Sequence, residues 1–175
     1  MKDLDGFAVA EADDVRPILE AFGAIIWPAP AETAAAFAAQ LGWQMTRPRA
    51  AQTTLAVSWR EAGFVMFRGD LDEIQFSITD SIPLDRRDDP ATGAVVRAAH
   101  AAEKKVLKDL LGEPTGSRGG TDPSVWWDLP SGGRVQVKRL PRSVLLKLQS
   151  KHLVDLARSE ARLGINPDRV YGVDG

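Results

Sequence analysis

Two stretches in the middle of the chain alternate apolar and polar residues with a period of two. In residues 53–60, Leu55, Val57 and Trp59 alternate with Thr54, Ala56 and Ser58, and in residues 72–79, Ile74, Phe76 and Ile78 alternate with Glu73, Gln75, Ser77 and Thr79. Successive side chains of a strand point to opposite faces, so each stretch predicts a strand with one face on a core. Residues 64–68 lie between them and join the second through Arg68-Gly69-Asp70, which predicts three antiparallel strands. Upstream the period becomes helical. Asp13 can cap a helix over 14–22 that Gly23 ends, with Pro17 in its first turn. Ile25, Ile26 and Trp27 form an apolar stub closed by Pro28 and Pro30. A second helix over 30–41 places Ala34, Phe37, Ala38 and Leu41 on one stripe, with Trp43 folding back onto it.

The clearest helix spans 90–111. Asp89 caps it, Pro90 takes its first position and Gly112 stops it, with Val95, Ala99, Ala102, Val106 and Leu110 as the predicted buried stripe. A second β block follows: 125–129, a Pro130-Ser131-Gly132-Gly133 turn, 134–140, and 143–149 beyond Pro141. Ser150 caps a last helix over 151–163, ended by Gly164 with Pro167 beyond. The order ααβββαβββα predicts an α+β fold, an antiparallel sheet with helices packed on one face. The chain reads as a single domain over 1–175, with 1–29 as an N-terminal extension and the Gly-, Ser- and Thr-rich 113–123 as a flexible connector.

Composition narrows the class. Hydrophobic residues at 44% and charged residues at 26% suit a globular domain and argue against disorder. The absence of cysteine excludes disulfides, thiolate nucleophiles and zinc–thiolate sites. The acidic N-terminus lacks a signal-peptide pattern, and no apolar run is long enough to span a membrane, so a cytoplasmic setting is expected. The net charge of −2 hides an uneven distribution. Residues 1–32 hold seven acids against Lys2 and Arg16, whereas no acid lies between Asp128 and Asp155. That second stretch holds Arg134, Lys138, Arg139, Arg142, Lys147 and Lys151. The two ends complement one another, or the basic stretch forms a face for an acidic partner.

No motif for chemistry emerges. His100 and Glu103 share a helical face at i, i+3 and are expected as a surface contact; His152 is expected to face solvent. The glycines of 115–120 lack the Gly-Lys-Ser/Thr ending of a phosphate loop. Arg86-Arg87-Asp88-Asp89 could clamp an anion, but its own aspartates neutralise it and cap the next helix. No catalytic residue, cofactor or metal ligand set is assigned, and the pI of about 5.7 disfavours nucleic acid.

The pair Trp126-Trp127 offers the sharpest partner signal, because neighbours in a strand point to opposite faces. Val125, Trp127 and Leu129 form the inward set, and Val144, Leu146 and Leu148 likewise. Trp126, Asp128, Gln136, Lys138, Leu145 and Lys147 are then the partner-binding candidates, an apolar centre with a polar rim. A loop or the N-terminal segment covering this face is the competing expectation. From Trp27 to Leu163, through Trp126-Trp127-Asp128-Leu129, the Val-x-Val strand and Glu160-Ala-Arg-Leu163, the chain resembles a group of small uncharacterised actinobacterial proteins. Its element order is similar to the secretion-chaperone-like α+β fold. That resemblance implies a chaperone-like adaptor or an immunity protein for a secreted toxin. The expected function is a non-enzymatic protein-binding module. The alternatives are an enzyme or small-ligand binder using a carboxylate–Arg pocket, and a homodimer joined through the open sheet face.

Overall fold

A computed structural model describes residues 1–4, 6–86 and 89–165. Arg87, Asp88 and Pro167 lie outside the described residues. The chain begins with β1 (Lys2–Leu4) and β2 (Phe7–Val9), followed by α1 (Ala12–Gly23), β3 (Ala29–Pro30) and α2 (Glu32–Gln40). A meander of β4 (Gln44–Arg47), β5 (Ala50–Gln52), β6 (Glu61–Phe67) and β7 (Asp70–Ser77) leads to α3 (Pro90–Leu111). A second meander, β8 (Gly116–Arg118), β9 (Ser124–Asp128), β10 (Arg134–Arg139) and β11 (Val144–Gln149), ends in α4 (Lys151–Arg162).

The two meanders form one antiparallel sheet in the order β4-β5-β6-β7-β11-β10-β9-β8, with β3 also on β7. The order is palindromic: each meander follows a helix, and their last strands meet at the centre. Those central strands carry dense inward sets, Ile74 and Phe76 on β7 and Val144, Leu146 and Leu148 on β11, all at most 1% exposed. α1, α2 and α3 close over this face, as an α+β arrangement requires. Trp43 folds back as expected, its ring 5.6 Å from Phe37 and 5.2 Å from Phe76. α4 turns to the other face. No described helix is long and apolar enough to cross a membrane.

Several expectations change. Residues 53–60 are a loop, and the strand that pairs with β6 on that side is β5, joining Ala50 to Gly63, with β4 beyond it as a fourth strand. Leu55 and Val57 are buried at 5% and 3%, but Trp59 is 59% exposed. A loop folded over a sheet end buries alternate residues as a strand does, so the pattern alone could not separate them. On α3 the buried stripe is rotated by one residue, to Thr92, Val96, Ala99, His100, Glu103 and Leu107. Val95, Ala102 and Leu110 pack along its flank instead. Both stripes have helical spacing, and contacts with β10 and β2 decide between them.

α1 starts earlier than expected, with Glu11 rather than Asp13 at its N-cap and the Asp14 carboxylate accepting the Glu11 N–H at 2.8 Å. Pro30 sits in β3 and not at a helix start. Residues 1–29 are integrated with the core: the Ala10 N–H donates to the Ile78 carbonyl and the Asp80 N–H to the Ala8 carbonyl, each at 2.9 Å. The 113–123 connector contains the edge strand β8. Asp89 and Ser150 cap as predicted, accepting from the N–H groups of Ala91 and Leu153.

Candidate functional site

Strict alternation along β10 sends Val135 and Val137 to the core and Arg134, Gln136 and Lys138 to the outer face. Register extends those outward positions into three cross-strand rungs. They are Asp128–Arg134–Gln149–Glu73, Trp126–Gln136–Lys147–Gln75 and Ser124–Lys138–Leu145–Ser77. All six candidates therefore share the outer face, and Trp127, 2% exposed, points inward as expected.

The rungs do not form one apolar centre. Trp126 is partly covered: its ring lies against Gly116 of β8, and the Arg134 guanidinium stands 5.1 Å from its centroid. Asp128 is tied up between elements, accepting from Arg134 Nε at 2.6 Å and from Arg158 of α4 at 2.9 Å. Burial opposes ionisation of its carboxyl, but the two guanidiniums outweigh that and hold its pKa below the usual range. It clamps β9, β10 and α4 together.

What the rungs do form is a pair of adjoining grooves. The first, about 550 Å³, has Gln136 in its floor, with Lys138, Lys147 and Arg134 around it and Arg118 and Asp122 on the wall formed by residues 118–124. Ala157 of α4 bounds the far side. Gln136 Nε2 donates to Ser124 Oγ at 3.0 Å, Lys138 pairs with Asp122 at 3.1 Å and Lys147 with Glu73 at 2.8 Å. The second groove, about 610 Å³, runs between Trp59, Ser77, Leu140, Pro141 and Leu145. The two meet at the rung where Lys138 faces Leu145. Trp59, Arg118 and Gln149 were not among the sequence candidates, and Arg134 entered only as part of the basic stretch. Strand alternation carried the signal for Arg134 and Gln149, whereas Trp59 and Arg118 sit on segments whose course alternation cannot give.

The two histidines differ. His152 is exposed as expected, and it is also held in place, with Nδ1 3.1 Å from Asp72 Oδ1 and its ring stacked on Phe67 at 4.8 Å. Asp72 is the extra residue where the β6–β7 register shifts, and that bulge turns its carboxylate to the start of α4. Ser150 Oγ donates to Asp72 and accepts from the Leu153 N–H, so this Ser–Asp–His cluster anchors the start of α4. A cavity of about 400 Å³ opens beside it between Trp27, Phe67 and His152.

His100 and Glu103 are not a surface pair: they are 6% and 0% exposed. Neither Glu103 carboxyl oxygen has a hydrogen-bond partner. Burial pushes its pKa up to about 9 and holds the His100 imidazole down at about 4, so both are neutral at pH 7. Among the described residues no group of three or more His, Asp or Glu could hold a metal ion.

A family model described as a family of unknown function, DUF6301, matches residues 13–150. The chain belongs to this family. The DUF6301 span runs from α1 to Ser150, so it includes all three rungs, while β1, β2 and α4 fall outside it. Comparisons with curated proteins and with solved structures gave no significant match.

Proposed function

We propose that this chain is a non-enzymatic protein-binding module that engages an acidic segment of a partner through the outer face of its sheet. The observation that supports it most is the first groove, where Arg118, Arg134, Lys138 and Lys147 line a concave surface; Asp122 is the carboxylate in that lining, and Asp128 and Glu73, paired with Arg134 and Lys147, lie outside it. Such a surface suits a carboxylate-bearing chain in both charge and hydrogen bonding. A chaperone-like adaptor or an immunity protein is the role in view, in a cytoplasmic setting. Self-association through the same face is the competing form and would show as a concentration-dependent mass in sedimentation.

The test is capture of a partner from the native host by tagged wild type and by two double variants. Lys138→Glu with Lys147→Glu reverses the groove; Arg97→Glu with Lys105→Glu reverses exposed charge on α3, across the sheet. A stoichiometric partner held by the wild type and the α3 variant, but lost from the groove variant, is the expected result. Equal capture by all three would overturn the proposal.

The cavity at Trp27, Phe67 and His152 supports a second reading, a small-ligand site. A ligand screen by thermal shift, repeated on Phe67→Ala, tests it: hits that survive the substitution would remove this site from consideration.

A further inference from the structure

We infer that the partner segment is extended and carries an apolar side chain two residues from an acidic one. The apolar group seats against Trp59 and Leu145, and the carboxylate reaches Lys138 and Lys147. This rests on the docking reading above and adds the chemistry of what docks.

Trp59 is the starting point. Trp43 and Trp127 are buried and Trp27 and Trp126 partly covered, whereas Trp59 is 59% exposed. Its loop is nonetheless held in place. The Ser58 N–H donates to Asp80 Oδ1 at 2.7 Å, and the Ser81 N–H to Ser58 Oγ at 2.8 Å. An exposed indole on a pinned backbone contributes large apolar contact at little ordering cost, the usual profile of a binding anchor.

Spacing supplies the rest. Leu145 and Lys147 are i, i+2 on β11 and face the same way, roughly 7 Å apart along the strand. Lys138 stands opposite Leu145 in register and shares the groove with Lys147. An extended peptide repeats the same i, i+2 spacing on one side, so an apolar-x-acidic pattern can satisfy both grooves at once. Lys138 and Lys147 each hold one carboxylate already, but an ammonium has three donors and can serve a second. The Gln136 amide in the floor offers hydrogen bonds to a peptide backbone.

The probe is a fluorescein-labelled peptide with Leu-Thr-Asp-Thr repeated, read by fluorescence anisotropy. Controls replace its Leu by Ala or its Asp by Lys. Binding by the wild type, weakened at least about tenfold by either control and by Trp59→Ala, is the expected result. Trp59→Ala should keep the wild-type melting temperature, since an exposed ring leaves no cavity. Binding that survives both Trp59→Ala and the Leu-to-Ala control, yet fails with Lys138→Glu and Lys147→Glu, overturns the apolar anchor and leaves the acidic docking surface standing. No peptide binding, alongside partner capture sensitive to groove reversal, overturns the inference alone. Peptide binding and partner capture both indifferent to groove reversal remove the inference and the proposed function together.

Discussion

His100 and Glu103 lie one turn apart on α3, both inside the core, and burial moves their pKa values in opposite directions. Asp14 adds to the rise at Glu103, while Lys104 and Arg139 add to the fall at His100. As pH rises from about 4.5 to about 9, the unfolded chain releases the Glu103 proton and the folded chain keeps it. Stability therefore falls over that window, by up to about 1.4 kcal/mol per pH unit. As pH drops from 6.5 to about 4, the unfolded chain protonates His100 and the folded chain does not, which also lowers stability. The two slopes cancel where they overlap and leave Glu103 alone above neutrality. Glu103→Gln should flatten the decline between about pH 6.5 and about pH 8.5. Denaturant unfolding across that range checks it, and parallel profiles for wild type and variant would contradict the assignment.

Trp126 and Trp127 differ in what each substitution removes. Trp127→Ala empties a core site and deprives the Gly112 carbonyl of the indole N–H now at 2.9 Å. A loss of about 3–5 kcal/mol is expected. Trp126→Ala takes a partly exposed ring from the outer face and should cost well under half of that. Paired denaturation curves decide; the reverse order would mean that the β9 register is shifted by one residue.

Gly116 is required by Trp126. A Cβ at residue 116 would come within 2.4 Å of the Trp126 ring, closer than real atoms approach. Gly116→Ala should displace β8 or the ring and cost roughly 1–3 kcal/mol. Adding Trp126→Leu should restore most of it, because the clash needs both partners. A double-mutant cycle with no such recovery would place β8 elsewhere.

Local chemistry was enough for much of the architecture. The caps at Asp89 and Ser150, the stop at Gly112 and the inward set of Val135, Val137, Leu146 and Leu148 follow from periods of two and 3.6 and from unpaired backbone groups at helix ends. Those rules need only neighbours a few residues away, and so the outward placement of Gln136, Lys138, Leu145 and Lys147 was readable. Which elements cover a face depends on residues far apart in the chain, and no period encodes that. Asp128 became a clamp because Arg158 returns from α4, Trp126 was partly covered because β8 adds an edge strand, and Leu145 shares a groove with Trp59 on a loop that Asp80 pins. The stripe of α3 shows the same limit. Two stripes one residue apart were equally helical, and contacts with β2 and β10 chose the one that buries Glu103.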